Sequence, residues 1–144
     1  MADSRFAESW LDSVLSAVDA ETDSATRRAI FRECSRRCTE HWAAEAARAR
    51  AALPGATVRD LLATFSSSLP GGAGPKIAGG LIEWRFTGGE CPCPVARLVR
   101  HPALCDCGVE HVRGMLEPLL GRPLDVRLLR SRRRGAEDCL FEAW

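Results

Sequence analysis

Cysteine is concentrated in one short stretch of this chain. Two Cys-x-Cys pairs, Cys91 with Cys93 and Cys105 with Cys107, lie within seventeen positions and are separated by eleven residues. A thiolate is a soft, charged ligand, and several held close together are stable only when they bind a metal or are oxidised. The clustering therefore predicts a metal or metal-cluster site. A redox-active dithiol and a tight loop of small residues are the alternatives.

The backbone conformation around these cysteines determines which sulfurs can share a centre. In an extended segment, the side chains at positions i and i+2 point to the same side, so each pair can present two sulfurs together. Pro92 and Pro94 flank Cys93 and favour such a conformation. Four thiolates suit a closed tetrahedral zinc site and equally an iron–sulfur cluster, for which a Cys-Pro neighbour is typical. Zinc sites more often use Cys-x2-Cys, so both cofactors stay open.

A second group of candidate ligands lies earlier in the chain. Cys34, Cys38 and His41 follow one another at offsets of four and three, which places them on one face of a helix. They are predicted to form a second ligand arm, and six cysteines would exceed one tetrahedral site, as in a dinuclear site or a cluster with an open iron. The alternative is that Cys34 and Cys38 are small buried apolar residues in a helix interface, and that His41 is solvated or caps a helix.

Two histidines and three arginines near the cysteines are candidates for catalysis and substrate binding. His101 lies in non-helical backbone before a proline, and His111 follows the second cysteine pair; either is predicted to transfer protons or to act as a ligand. Arg97, Arg100 and Arg113 are predicted to hold an anionic substrate beside the same site.

The second cysteine pair precedes a predicted helix that begins at Gly108. The N-terminus of a helix offers amide donors and a positive dipole, which would depress the pKa values of the Cys105 and Cys107 thiols. Asp106, between these two cysteines, is predicted to face solvent or to cap the helix.

Three other features carry weaker signals. Cys139 shares a predicted strand face with Phe141 and Ala143, which favours a core position over a ligand role. The glycine run GGAGPKIAGG lacks the Lys-Ser/Thr of a phosphate-binding loop and follows a helix, so it is predicted to be a flexible loop or a flap. A basic turn is predicted to be solvated, with binding of an anionic substrate, a partner or nucleic acid as the alternative; it contains Arg130, Arg132, Arg133 and Arg134.

Composition indicates an ordinary globular protein. The chain has 144 residues, of which 46% are hydrophobic and 27% charged, so one domain with a real core is expected over 1–144. A net charge of +1 argues against a general polyanion-binding surface, and nucleic acid is not an expected partner. No apolar run approaches the roughly 20 residues of a membrane span, and no secretory signal is evident. The predicted compartment is the cytoplasm, where thiols stay reduced.

The periodicity of apolar residues predicts helices first and a sheet afterwards. Helices are expected at 7–19, at 27–53 after a cap at Asp23 or Ser24, and at 58–69 after a cap at Thr57. A strand is expected at 81–87, a helix at 108–120, and a hairpin of 123–132 with 136–144. The predicted fold class is α+β: N-terminal helices (1–70) packed on a small antiparallel sheet (81–144) with a cysteine-rich loop and an inserted helix.

The order of motifs in the second half resembles a known group of proteins. A CPCP loop, a CxCG helix start, the turn Leu120–Leu124 and Cys139-Leu140-Phe141 are similar to small bacterial proteins of the L-2-amino-thiazoline-4-carboxylic acid hydrolase-like group, which is distantly similar to 4-vinyl reductase-type domains. The resemblance covers 82–144, with a weaker echo in the early helical cysteine pair. It implies an α+β fold with an antiparallel sheet, and a ligand-binding or hydrolytic role near the cysteines.

These patterns leave three functions open. The first is a metalloprotein, with zinc or an iron–sulfur cluster, that acts on or senses a small molecule; zinc would suit hydrolysis, and a cluster would suit lyase or sulfur chemistry. The second is a non-enzymatic interaction or sensor domain stabilised by its metal. The third is thiol redox chemistry or trafficking of a soft metal, which Cys-x-Cys pairs hold well.

Overall fold

The computed structural model describes residues 4–69, 73–88, 91 and 93–144. The elements within these residues confirm the predicted α+β class. The helices are α1 (Ser4–Glu21), α2 (Ser24–Ala52), α3 (Val58–Ser68) and α4 (Leu104–Leu120). The strands are β1 (Lys76–Ala78), β2 (Leu81–Phe86), β3 (Val126–Arg130) and β4 (Cys139–Ala143), and a short 3-10 turn, Arg132–Arg134, connects the last two.

Local capping explains where α2 and α3 begin. The Asp23 side chain accepts a hydrogen bond from the Thr26 amide at 2.7 Å, which satisfies one of the free N–H groups of the first turn of α2. Thr57 and Asp60 form a capping box at the start of α3, in which each side chain accepts from the other residue's backbone N–H. Both caps are predicted from sequence and both are confirmed.

The start of α4 differs from the prediction and changes the geometry of the cysteines. The helix begins at Leu104, one turn before Gly108, so Cys105 and Cys107 belong to its first turns and not to an extended segment. Adjacent residues in a helix are about 100° apart, so positions i and i+2 point to nearly opposite sides. The helix begins early because Leu104 is buried. Leu104 lies two turns before the buried Val112 on the same side of α4, so it lengthens the apolar face of the helix toward its N-terminus.

The sheet contains a hairpin that the sequence analysis misses. Its strand order is β1-β2-β4-β3, with antiparallel pairing throughout. Part of the glycine run, predicted to be a flexible loop, forms β1, in which Ile77 pairs with Ile82. Gly79 and Gly80 both have positive φ, 57° and 81°, as a two-residue hairpin turn of type I′ requires. The predicted hairpin in the C-terminal part is confirmed as β3 and β4.

Helix α4 lies between the sheet and α2. A Cβ atom at Gly108 would lie 3.0 Å from Phe141 Cζ on β4, and one at Gly114 would lie 3.2 Å from Thr39 Oγ1 on α2. Glycine at these positions therefore lets α4 approach both neighbours closely. The shared core draws on α2, α3, α4 and the sheet; its buried members are Ala46, Leu61, Leu62, Phe65, Ile82, Trp84, Val112, Met115, Leu116, Leu119, Leu124, Val126, Phe141 and Ala143.

The first helix is the least embedded element. None of the described residues of α1 is buried, and Phe6 and Trp10 are 69% and 57% exposed. Asp12 nevertheless connects α1 to the loop before α4. Its Oδ1 accepts hydrogen bonds from the backbone N–H groups of Arg100 and His101 at 2.8 and 3.0 Å. None of the helices has a stretch of low polarity long enough to cross a lipid bilayer, as judged from the described residues.

Candidate metal centre

The fold separates the seven cysteines, all of which are free thiols, into two groups. The Cys107 thiol lies within electrostatic range of the thiols of Cys34, Cys38 and Cys93, and Cys93 is in turn within range of Cys91. We call these five residues the outer thiol cluster. The other two, Cys105 and Cys139, interact with each other on the sheet side of α4 and are called the inner thiol pair.

The packing of α2 on α4 assembles the outer thiol cluster. Phe31 and Ser35 are buried in this interface, and Cys34 and Cys38 follow each of them by three residues, so both cysteines lie at its edge. The structure leaves them exposed, so the alternative that they are small buried core residues is wrong. From α4, Cys107 Sγ donates toward the Phe31 carbonyl oxygen at 3.9 Å, which brings it beside this edge.

The electrostatics of the cluster keep Cys93 and Cys107 protonated when no cation is bound. Burial, followed by the neighbouring thiolates of Cys34, Cys93 and Cys38, raises the pKa of Cys107 to about 12. Burial, followed by the thiolates of Cys91 and Cys38, also raises the pKa of Cys93. Ionised neighbours therefore oppose ionisation of Cys107 and of Cys93. A metal ion removes this cost because its positive charge stabilises all coordinated thiolates at once, so the donor set fits a soft metal.

Backbone amides near Cys93 also favour a thiolate. The N–H groups of Val95 and Ala96 approach the Cys93 sulfur and lower its pKa, against the larger effect of burial. The Ala96 amide also donates to the Cys93 carbonyl oxygen at 3.0 Å, which closes a turn around the sulfur. Hydrogen bonds to sulfur stabilise metal-bound thiolates, so this turn is suited to a ligand.

The cluster is not arranged as a finished metal site. Within residues 4–69, 73–88, 91 and 93–144, no three His, Cys, Asp or Glu side chains are already positioned as ligands of one ion. Metal sites commonly form only when the metal binds. Coordination here would require the thiols to move closer together, through rotation of exposed side chains on α2 and a shift of the loop that carries Cys91 and Cys93. Pro92, predicted to stiffen this loop, lies outside the described residues.

The second Cys-x-Cys pair does not face one centre. The sequence predicts Cys105 and Cys107 as neighbouring ligands, but their positions in the first turns of α4 direct them to opposite sides of the helix. Cys105 lies on the side of Ser131 and Cys139, whereas Cys107 joins the outer thiol cluster. Asp106 does not cap the helix; it forms an ion pair with Arg134 at 3.0 Å.

The predicted depression of both thiol pKa values is also wrong. Burial is the largest effect on both thiols and raises both pKa values. For Cys105 it outweighs the lowering effects of Arg134 and Arg133. Desolvation of the charged form is thus the largest single effect on each thiol.

The histidines have different surroundings. His101 lies at the start of α4 in a structural role: its Nδ1 accepts the Ala103 backbone N–H at 3.2 Å. His111 is one helical turn beyond Cys107 and therefore on the same side of α4, and burial lowers its pKa. His41 is exposed, and its ring lies 5.2 Å from that of Trp42.

The three predicted substrate-binding arginines do not converge. Arg97 and Arg100 are exposed in the loop before α4. Arg113 is buried in the α4 interface, where its Nε donates to the Leu124 carbonyl oxygen at 3.1 Å and its Nη1 pairs with Glu110. Arg113 also lines a cavity.

Sequence reasoning misses the charged group around that cavity. The Glu110 side chain is only 3% exposed and pairs with Arg113, with Arg28 at 3.1 Å and with Arg32 at 3.6 Å. A cavity of ≈ 370 Å³ opens beside them. It is lined by Ser24, Arg27, Arg28, Phe31, Asp106, Val109, Glu110, Arg113, Asp125, Val126 and Trp144. A signal is present in the sequence: Glu110 interrupts the apolar stripe of α4, and two arginines four residues apart face it from α2.

The basic turn is exposed at Arg130 and Arg134, in agreement with the predicted solvated turn, and contacts within the protein also hold it in place. Arg130 pairs with Asp138, and Arg134 pairs with Asp106. The side chain of Arg132 donates to the Phe86 carbonyl oxygen at 3.3 Å. The side chain of Arg133 donates to the Ala96 carbonyl oxygen in the loop before α4. These bonds fasten the β3–β4 connection to the segment that carries the outer thiols.

No protein-family model, curated protein or solved structure gives a significant match to this chain.

Proposed function

We propose that this protein is a metal-binding domain in which Cys34, Cys38, Cys93 and Cys107 bind one ion, zinc, through four thiolates. One observation carries the proposal. The Cys107 thiol lies within electrostatic range of three other thiols that come from two different segments, α2 and the loop before α4. Four thiols from three segments of the chain, one of them the half-buried Cys107, can supply the four ligands of a tetrahedral site once a metal draws them together.

The placement of the donors supports zinc. Cys34 and Cys38 are one turn apart on α2 and exposed, so their side chains can rotate toward Cys107 without disturbing the core. Cys93 lies in a turn whose amides point at its sulfur. Zinc accepts four thiolates without a preferred orientation of its own, so it tolerates donors that must adjust their positions. An iron–sulfur cluster has the same ligand requirement and is the alternative that a spectrum would reveal.

The neighbouring cavity supports binding or sensing of a small molecule. Phe31 lines the cavity, and its carbonyl oxygen contacts Cys107, so one residue connects the cavity to the outer thiol cluster. Arg28 and Arg113 offer positive charge, and Trp144 offers an apolar surface. A metal with four protein ligands has no open position for catalysis. We therefore infer a metal-stabilised sensor or binding domain, with the hydrolase-like resemblance as a weaker alternative.

The exposure of the thiols supports a second candidate, transfer of a soft metal. Cys34, Cys38 and Cys91 are all exposed, and Cys91 is a fifth thiol beside a site that needs only four. A spare, accessible thiolate allows ligands to be exchanged one at a time, as transfer of a soft ion such as copper(I) requires. Tight retention of zinc against a chelator would favour the stable site, and rapid loss would favour transfer.

Metal analysis of the full chain tests the proposal. Protein purified under anaerobic conditions is expected to contain about one zinc per chain and to be colourless. Cys107→Ser should lose most of the metal, because it removes the central ligand. Cys139→Ser, which removes a thiol of the inner pair, is the matched control and should retain it. Absence of metal in the wild type, or equal retention by both variants, would contradict the proposal, and a brown protein with bound iron would replace zinc by a cluster.

A further inference from the structure

Three arginine side chains converge on one buried carboxylate between α2 and α4. The Glu110 side chain on α4 is 3% exposed and pairs with Nη1 of Arg113 on the same helix. From α2, Nε of Arg28 lies 3.1 Å from its Oε1 and Nε of Arg32 lies 3.6 Å from its Oε2. One negative charge therefore faces three positive charges. Glu117, 3.9 Å from Arg113 Nε, offsets one of the two that remain, so an excess positive charge stays at this place.

Arg28 and Arg32 contact Glu110 in a way that leaves hydrogen-bond donors for a ligand. Both approach the carboxylate through Nε, which occupies only one of the N–H groups that each guanidinium offers. Their side chains are 47% and 63% exposed and therefore accessible. The two residues are four positions apart on α2, so they are neighbours on one face of the helix. Because Glu110 already orients both guanidinium groups, a ligand loses less affinity to the ordering of side chains.

Two adjoining cavities open beside this charged group. They share four lining residues, which are Arg28, Arg113, Asp125 and Trp144. The first cavity, of ≈ 370 Å³, includes four apolar residues in its lining, which are Phe31, Val109, Val126 and Trp144. The second, of ≈ 650 Å³, adds Arg32 and Arg122. The combined space thus has an apolar part and a basic part, and its size is that of ordinary small-molecule sites.

Trp144, which lines both cavities, is held in place and is still accessible. Its backbone N–H donates to the Asp125 carbonyl oxygen, and its own carbonyl oxygen accepts the Asp125 N–H, both at 3.1 Å. The guanidinium carbon of Arg127 lies 5.2 Å from the centroid of its ring. Trp144 is nevertheless 45% exposed. A fixed aromatic ring with free surface is suited to contact with the apolar body of a ligand.

We propose that these two cavities bind a small organic oxyanion, with its carboxylate or phosphate group against Arg28 and Arg32 and its apolar body against Trp144. Guanidinium groups match the oxygens of both kinds of anion. The charge of the anion offsets the excess positive charge around Glu110, which a neutral ligand would leave uncompensated. The inference rests on the proposed binding role of the domain and not on its metal, because none of the described thiols of the outer cluster lines either cavity.

Binding of four simple probes by the full chain tests the inference. Benzoate and phenyl phosphate carry the two oxyanion groups on an aromatic ring, benzamide is the neutral counterpart of benzoate, and inorganic phosphate lacks the ring. Each is titrated into ¹⁵N-labelled protein, and the NMR signals of the Trp144 indole N–H and of the Val109 and Glu110 amides are followed. Benzoate, phenyl phosphate or both should shift these signals to saturation and bind about tenfold more tightly than benzamide and inorganic phosphate. The tighter of the two identifies the anionic group.

Three variants assign the contacts. Arg28→Gln and Arg32→Gln should each weaken binding of the tighter probe by about tenfold, and both should fold because these side chains reach the surface. Arg37→Gln, on the same helix, changes an arginine that lines neither cavity and should bind as the wild type does. Equal binding of benzoate and benzamide, no saturable shift with either anion, or wild-type affinity in both cavity variants would overturn the inference.

Zinc content, measured on the same samples, separates this inference from the proposed metal site. Protein that retains zinc but binds neither anion would count against the anion site alone. Anion binding by protein that contains no metal would support the anion site and contradict the zinc site.

Discussion

Raising the pH above 9 should destabilise the metal-free protein, because the Cys107 thiol must stay protonated in the folded state. Burial, together with the thiolates of Cys34, Cys93 and Cys38, raises the pKa of Cys107 from 9.0 to about 12. In the unfolded chain the thiol is solvated and keeps its ordinary pKa. Between these two values the folded state therefore binds one more proton than the unfolded state.

The sign and the magnitude follow from proton linkage. The free energy of unfolding changes with pH in proportion to the protons bound by the unfolded state minus those bound by the folded state. This difference is negative for Cys107 above pH 9, so stability falls as pH rises. The slope is about 1.4 kcal/mol per pH unit for one proton, and the loss reaches roughly 2 kcal/mol at about pH 10.5. Below pH 9 both states hold the proton, and this thiol contributes no pH dependence.

Urea unfolding measures the effect. The free energy of unfolding is determined between pH 8 and about pH 10.5 in the presence of a chelator and a reductant, for the wild type and for Cys107→Ala. The free energy of unfolding of the variant should fall less steeply with pH than that of the wild type, by about 1.4 kcal/mol per pH unit, which is what one proton contributes. This difference in slope does not depend on the stability of the variant at neutral pH. Cys139→Ala, which removes a thiol outside the outer cluster, should retain the wild-type slope. Equal slopes in the wild type and in Cys107→Ala would refute the reasoning.

Two further predictions concern the charged contacts. Glu110→Gln should lower the free energy of unfolding by about 3 kcal/mol, because it removes the carboxylate that pairs with Nη1 of the buried Arg113 and leaves Glu117, 3.9 Å from Nε, as its remaining carboxylate neighbour. Urea unfolding measures the loss, and a change below about 1 kcal/mol would mean that water or other groups satisfy that charge. Asp12→Ala should speed hydrogen exchange at the backbone amides of Arg100 and His101, because it removes the carboxylate that accepts hydrogen bonds from both. Unchanged exchange at both amides would show that α1 does not hold this loop.

The helices that depend on local signals could be predicted from the sequence. Asp23 and Thr57 are strong caps, and the residues that follow each of them have helical periodicity, so α2 and α3 are predicted almost to their ends. Gly79-Gly80 is an equally local signal for the β1–β2 hairpin. The sequence nevertheless predicts a loop there, because β1 has only three residues and glycines lie on both sides of it. The start of α4 has no side-chain cap, and therefore offers no comparable local signal.

The amino-acid sequence by itself determined that seven thiols are present, that most lie near one another along the chain, and that an α+β fold carries them. Only the tertiary structure decided which thiols face each other. The helical phase at the start of α4 sends Cys107 toward α2 and Cys105 toward β4, and the packing of α2 on α4 brings Cys34 and Cys38 to the same edge. The physical reason is that side-chain direction depends on local backbone conformation, whereas contacts between segments depend on long-range packing of the apolar core.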